Sequence, residues 1–192
     1  MPDDSSAAGP AGRRPDLLLE TVAAEIEAYV GQAGWDLAPA LFALVPTRVL
    51  AADPAAAALL GQGAAGDPGE ISADSLTPVA QEELPDGPLD EVLARIGWPE
   101  EVLGCALSQE IVLLPPSAEP DLTDLASEAA ASVALEHPDR REARLVVAVL
   151  RDGRSASILR LRSTAGTGED DLLTGPDLAP NLVAALSVTF TD

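Results

Sequence analysis

ARLVVAVLRDGRSASILRLR, residues 143–162, is the stretch that decides the fold of this 192-residue chain. Two runs rich in branched apolar residues flank Asp152-Gly153, the dipeptide that a two-residue type I′ hairpin turn favours. The stretch therefore predicts a β-hairpin in which Arg151 lies directly opposite Arg154 at the tip. Gly153 is expected at positive φ, because that turn requires it.

Both faces of the predicted hairpin are largely apolar. This favours a central place in a sheet, with cover on both sides. In the predicted register, one face combines Leu145, Val147 and Val149 with Ala156 and Ile158, and the other combines Val146, Ala148 and Leu150 with Leu159 and Leu161.

Helices and strands mix along the chain without a strict β-α-β rhythm. Apolar residues at helical spacing predict helices at 16–33, 88–96, 121–136 and about 178–189, and Asp53-Pro54 starts a short helix. Strands are predicted at 41–50, where Pro46 indicates an edge or a bend, at 76–80 and at 104–114. This order indicates an α+β fold, a single domain over residues 16–192 with a mostly antiparallel sheet flanked by helices. Residues 1–15 are rich in Pro, Gly, Ser and Ala, which predicts a disordered tail.

The charge of the chain argues against several classes of partner. Asp and Glu number 32 against 11 basic residues, all of them arginine, and the formal net charge is −21. Such a field repels phosphate backbones and anionic lipid, so neither nucleic acid nor a membrane is expected as a partner. The start of the sequence lacks the apolar core of a secretory signal, and no apolar run reaches about 18 residues. A single cysteine cannot form an internal disulfide, and a cytoplasmic location is expected.

The two tryptophans lie in related stretches, AGWDLAPALFAL (33–44) and IGWPEEVLGCAL (96–107). In each stretch a predicted helix ends, a glycine follows, and a predicted strand begins shortly after the tryptophan. This context predicts that Trp35 and Trp98 are structural anchors that pack over the helix end and the coming strand. The alternative is a pair of ligand platforms, which would require both rings to be exposed in a cleft.

Few residues offer chemistry. Cys105 and His137 are the only cysteine and histidine, which excludes the usual Cys/His zinc sites within one chain. Cys105 lies in an apolar strand without the cationic surroundings that generate a thiolate, so a buried packing role is expected rather than a Cys-His catalytic pair. Gly61–Gly66 matches G-x-G-x-x-G, but it follows a predicted helix instead of a strand, which argues against a dinucleotide site. No catalytic residue, metal site or cofactor is predicted.

Arginines concentrate in one segment of this acidic chain. The seven are Arg140, Arg141, Arg144, Arg151, Arg154, Arg160 and Arg162. One interpretation is that they neutralise the chain's own carboxylates. The other is a local site for an anion or an acidic peptide, because guanidinium groups suit carboxylates and phosphates. Arg151, Arg154 and Arg160 are the residues assigned to such a partner-binding site.

Four stretches together resemble a known family. They are GWDLAPALFALV (34–45), IGWPEEVLGCAL (96–107), EHPDRREARLVVAVLRDG (136–153) and GPDLAPNLVAAL (175–186). The chain is similar, from about residue 16 to 190, to an uncharacterised family of acidic actinobacterial proteins. The resemblance implies no activity, cofactor or site residue, because none is established for that family.

The function expected from these features is a non-enzymatic cytoplasmic module for protein binding or assembly, with its partner and oligomeric state left open. The expectation rests on missing catalytic patterns and on a broad similarity in character to secretion-chaperone-like proteins. The alternative is an enzyme of another class with a cleft near Trp98 and Cys105. A deep pocket holding at least two convergent polar side chains would favour that alternative.

Overall fold

The structure is a computed structural model that describes residues 17–53, 75–115, 127–163, 172–175 and 178–191. Three sequence predictions lie outside the described residues: the tail at 1–15, the short helix after Asp53, and the Gly61–Gly66 pattern.

Eleven elements make up the described part of the chain. The helices are α1 (Leu17–Gly31), α2 (Thr47–Ala52), α3 (Leu89–Leu93), α4 (Ser127–Glu136) and α5 (Pro180–Val188). The strands are β1 (Ala40–Pro46), β2 (Leu76–Ala80), β3 (Gly104–Leu113), β4 (Arg141–Leu150), β5 (Ser155–Leu161) and β6 (Leu172–Thr174).

The six strands form one sheet in the order β2-β1-β3-β4-β5-β6, and every neighbouring pair is antiparallel. Helix α1 packs on one face, while α3 and α5 pack on the other. The predicted class, an α+β domain with an antiparallel sheet flanked by helices, is therefore confirmed. Within the described ranges, no helix combines the length and the apolar character needed to cross a membrane.

Of the two alternatives predicted at Pro46, an edge or a bend, the structure shows the bend, and strand β1 ends there instead of continuing to residue 50. It pairs with β2 on one side and with β3 on the other, and α2 begins directly after Pro46. Proline contributes no N–H to a ladder, so Pro46 lies where the strand ends and the backbone changes direction.

Strand β2 is found at the predicted position and forms one edge of the described sheet. The N–H of Gln81 donates to the carbonyl of Leu41, and Thr47 donates to the carbonyl of Ser75, both at 2.9 Å. Because alternate residues of an antiparallel strand turn their backbone groups to the same neighbour, Pro78 has its nitrogen directed outward. This edge therefore lacks an N–H donor at its centre.

Strand β6 forms the opposite edge and was not predicted from the sequence. Its three residues are too few to show an alternating pattern inside a stretch rich in Gly, Ser and Thr. Gly175 donates its N–H to the carbonyl of Ser157 at 3.0 Å, and Leu173 is paired with Leu159. By the same alternation, Leu172 and Thr174 direct their backbone groups away from β5.

Alternation along β4 divides the core into two apolar layers. The layer against α1 takes Val146, Ala148 and Leu150, and the layer against α5 takes Leu145, Val147 and Val149. All six side chains are buried. Strand β4 is thus covered on both faces, as its apolar composition indicates.

The predicted hairpin register is wrong by one residue. Val149 pairs with Ser155, and Leu145 pairs with Leu159, so Arg151 does not lie directly opposite Arg154. The connection is a three-residue loop, closed by a bond from the N–H of Gly153 to the carbonyl of Leu150 at 2.9 Å. Gly153 has φ +85°, which fits the left-handed residue that ends such loops.

A physical reason for the observed register is the placement of charge. The predicted register would have put Arg160 opposite Leu145, in the apolar layer against α5, where an unpaired guanidinium is costly to bury. In the observed register Arg160 pairs with Arg144 and both side chains point toward α1. The one-residue shift also exchanges the faces of β5, so that Leu159 and Leu161 join Leu145.

Candidate binding site

The face of the sheet toward α1 changes from apolar to charged along one line. Glu110 of β3, Arg144 of β4 and Arg160 of β5 are register partners in a single row. Val146 and Ile158 lie on the apolar side of this row, in the layer against α1. On its other side lie Arg140, Glu142 and Arg162, which follow the same alternation.

Arg144 is the buried centre of the charged half of this sheet face, which comprises the row Glu110–Arg144–Arg160 and the residues beyond it. Its side chain is 2% exposed, and its Nη1 lies 3.6 Å from Oε1 of Glu27 on α1. Its Nη2 donates to Oε1 of Glu110 at 3.2 Å and to the carbonyl of Gly34. Its guanidinium carbon lies 4.6 Å from the ring centroid of Trp35. Arg144 therefore connects α1, the loop after α1, and two strands.

Arg160, assigned from the sequence to a partner-binding site, binds Glu27 inside the protein. Its Nε and Nη2 donate to the two carboxylate oxygens of Glu27 at 2.6 and 2.7 Å. Glu27 is buried and is shared with Arg144. This two-point geometry is among the strong forms of ion pairing.

Arg162 extends the network toward the sheet end. It donates to both oxygens of Asp36 at 3.1 and 3.2 Å and to Glu142 at 2.6 Å. Hydrogen bonds to Asp36 and then Glu142 raise the pKa of the Arg162 guanidinium above its ordinary value. The guanidinium carbon lies 5.3 Å from the Trp35 ring centroid. Trp35 is half-buried and lies against Arg144 and Arg162, and its role as a structural anchor over the helix end and the following strand stays a prediction.

A pocket of about 320 Å³ opens where β4 begins and β5 ends. Its lining residues are Arg140, Arg141, Glu142, Arg162 and Ser163. Arg140 and Arg141 are exposed, and neither guanidinium forms an ion pair with a carboxylate of the described ranges. The adjacent arginines in EHPDRRE (136–142) are the sequence signal for this pocket, whereas the predicted partner-binding residues are Arg151, Arg154 and Arg160.

The two loop arginines make other contacts. Arg151 donates from Nε to the carbonyl of Val102 at 2.8 Å and from Nη2 to the carbonyls of Trp98 and Pro99, both at 2.9 Å. Arg154 forms an ion pair with Asp152 at 2.8 Å. Arg160 lies six residues along the chain from Arg154, roughly 20 Å at strand spacing. The structure therefore does not bring the three assigned arginines to one place, and their partner-binding role stays a prediction.

Trp98 lies among apolar side chains and hydrogen bonds. Its indole N–H donates to the hydroxyl of Thr189 at 3.0 Å, and its ring stacks on Phe190 with centroids 6.4 Å apart. It also packs against the apolar layer that contains Leu93 of α3 and Leu186 of α5. These contacts are those of a packing residue, whose energetic contribution stays a prediction.

Cys105 does not form a catalytic pair with His137 in this geometry. Its side chain is fully buried, and burial raises the pKa of the thiol to about 12, so the neutral thiol is the form present near pH 7. Cys105 pairs with Val149 near one end of β4, whereas His137 precedes the other end. Eight residues of strand separate those ends, about 27 Å. In the described ranges no cluster of three Cys, His, Asp or Glu residues could hold a metal ion.

The outer edge of β6 is a second exposed feature beside the pocket. Leu172 is 44% exposed and Leu173 is 48% exposed, and Leu178, next to Gly175, is also exposed. Leu172 pairs with Arg160, which is two residues before Arg162. The apolar edge and the arginine pocket therefore lie at the same end of β5.

One family model, described as PPA1309-like protein, matches residues 19–191. No curated protein and no solved structure matches the chain.

Proposed function

The chain belongs to the PPA1309-like protein family, and from that premise we propose that it is a non-enzymatic module that binds another protein. The partner adds an extended segment to the outer edge of β6. Main-chain hydrogen bonds supply affinity in this mode of recognition, and side-chain contacts supply specificity.

The observation that carries the proposal is the combination of open backbone groups and exposed leucines on one strand. Leu172 and Thr174 direct their N–H and C=O groups away from β5. Leu172, Leu173 and Leu178 add exposed apolar surface beside those groups. An unpaired strand edge can act as a template for pairing with another chain, and the three residues of β6 offer two outward-facing positions, Leu172 and Thr174.

The buried chemistry supports a binding role over catalysis. The thiol of Cys105 is buried and protonated, and Trp98 is hydrogen-bonded to Thr189 and covered by Phe190. Among the residues that the structure describes, the acidic groups nearest the core are engaged by arginines. These groups hold the fold together and have little freedom to take part in proton transfer.

The proposal includes a cytoplasmic location, an actinobacterial origin shared with other acidic members of the family, and a partner other than nucleic acid. The net charge of −21 supports the last point, because it opposes approach to a phosphate backbone.

Thr174→Pro tests strand addition at the edge. This change removes an outward N–H without removing a bond to β5, so the fold should be retained while the added strand loses a donor. Full-length tagged protein is incubated with extract from the organism that encodes it, and the captured proteins are quantified by mass spectrometry. We expect a protein that is captured by wild type and by Thr174→Ala, and lost with Thr174→Pro.

Size-exclusion chromatography with light scattering shows whether the added strand comes from a second copy. In that case the wild type is a dimer and Thr174→Pro is a monomer of unchanged melting temperature. Capture that is the same for wild type, Thr174→Ala and Thr174→Pro, with no change in oligomeric state, would contradict the proposal.

A further inference from the structure

We propose that the pocket formed by Arg140, Arg141 and Arg162 is a carboxylate-binding site. The carboxylate is carried either by a small organic acid or by a peptide. The site does not depend on strand addition at β6, because it uses side chains of β4, of the turn before β4 and of the segment directly after β5.

The pocket has more positive than negative charge among its lining residues. In the rest of the charged half, the guanidinium groups face internal carboxylates: Arg144 faces Glu27 and Glu110, and Arg160 faces Glu27. Arg140 and Arg141 are the lining cations that have no ion pair with a described carboxylate, and both border the same concavity at the start of β4. Two such cations in a chain with 32 acidic residues form a local reversal of sign, which attracts an anion.

The carboxylate of Glu142 in the pocket lining favours a carboxylate ligand over a phosphate. Glu142 also lines the pocket, and its carboxylate binds Arg162 at 2.6 Å. Arg162 is already shared with Asp36, so its charge is largely matched. The ligand therefore meets two uncompensated guanidinium groups and one fixed carboxylate. A singly charged carboxylate can use both forks, whereas a phosphate dianion would carry extra charge against Glu142 and the acidic chain.

The size of the pocket and the fixed position of Arg162 suit a small ligand group. The concavity of about 320 Å³ is open to solvent, and it is large enough for an acidic side chain or a small acid. Arg162 is fixed by Asp36, by Glu142 and by its position over the Trp35 ring. Arg162 is thus a positioning residue that forms one wall, while Arg140 and Arg141 supply the charge that the ligand contacts.

The test follows the arginine Nε–H resonances of the full-length ¹⁵N-labelled protein by NMR. The probes are acetate, the blocked peptide acetyl-Ala-Glu-Ala-amide and inorganic phosphate, each at matched ionic strength. We expect saturable shifts of the Arg140, Arg141 and Arg162 resonances with both carboxylates, and weaker binding of phosphate. Tighter binding of the peptide than of acetate identifies a peptide as the source, and equal binding identifies a small acid. Phosphate binding tighter than both carboxylates would overturn the proposal.

A pair of matched double variants separates a site from general charge attraction. Arg140→Gln with Arg141→Gln removes two positive charges from the pocket, and Arg48→Gln with Arg95→Gln removes two exposed positive charges elsewhere. Read at Arg162, carboxylate binding should weaken at least about tenfold in the first pair and stay unchanged in the second, because charge-assisted bonds carry the affinity. Equal weakening in both pairs means general attraction without a site, and weakening in the second pair alone locates the anion outside the pocket. Either result would refute carboxylate binding in this pocket. The comparison requires that both double variants keep the wild-type melting temperature.

Discussion

Arg144 shows at the scale of one residue how this acidic chain uses a buried cation. Its side chain is 2% exposed, and it binds Glu27, Glu110 and the carbonyl of Gly34. A buried cation is tolerated only when acceptors surround it, and removing one partner of such a group typically costs about 3–5 kcal/mol. The planar guanidinium presents five N–H donors on three nitrogens in a fixed fork, whereas a lysine ammonium carries three donors on one nitrogen.

Cys105 predicts a dependence of stability on alkaline pH. Burial raises the thiol pKa to about 12, whereas an unfolded cysteine has a pKa of about 8.5. The contribution of the neutral thiol is therefore fully present below about pH 8.5 and is lost as the pH rises toward 12. Between pH 8 and pH 10 the free energy of unfolding should fall by roughly 1.5–2 kcal/mol more in the wild type than in Cys105→Ala.

Urea denaturation of both proteins at the two pH values measures this difference. Because both proteins share every other titrating group, their difference isolates the thiol. Parallel loss of stability in wild type and Cys105→Ala would show that Cys105 is not responsible.

At the scale of elements, the β4–β5 pair shows what could be predicted from the sequence and what could not. Two apolar faces and the place of the connection follow from residues 143–162 themselves. The register does not, because Asp-Gly suits the two-residue turn, while a three-residue loop also accepts glycine at its last position. The distinguishing information is the carboxylate of Glu27, more than 100 residues away, which receives Arg160 only in the observed register.

The two Gly-Trp stretches also show that local sequence predicts the elements but not their distant contacts. Their shared context correctly locates a helix end and a following strand in each case. The neighbours differ, because Trp98 meets Phe190 and Thr189 whereas Trp35 meets Arg144 and Arg162. Those neighbours come from distant strands and a distant helix, so the local pattern holds no information about them.

Gly153 yields a prediction about the loop between β4 and β5. Its φ is +85°, and a Cβ built there meets no atom within 4 Å, so any cost of substitution comes from the backbone. Gly153→Val should destabilise the protein by about 1–3 kcal/mol, because β-branched residues avoid the left-handed region. Gly153→Asn should cost clearly less, since asparagine adopts that region more readily. Thermal unfolding of the three proteins tests the order, and equal stability of the Val and Asn variants would contradict it.

For the whole molecule, the imbalance of 32 acidic against 11 basic residues predicts a response to salt. Repulsion among exposed carboxylates destabilises the compact state, and salt screens it. The melting temperature at pH 7 should rise between 0.05 and 0.5 M sodium chloride, conditions at which the Debye length falls from roughly 14 to 4 Å. The rise should shrink near pH 4.5, where many carboxylates are protonated. A melting temperature that falls with salt at pH 7 would mean that the arginine pairs outweigh the repulsion.

The outward-facing nitrogen of Pro78 has a consequence for stoichiometry. One border of the described sheet lacks a central donor, whereas the border at β6 presents its backbone groups. The β2 border keeps the outward N–H groups of Leu76 and Ala80 but has none at Pro78, so strand addition is less favourable there than at β6. Two copies of the chain that pair through their β6 strands form a closed dimer with two-fold symmetry. An open fibre would need a second sheet border that also accepts a strand. For the proposed strand addition we therefore expect a one-to-one complex or a dimer rather than a fibre.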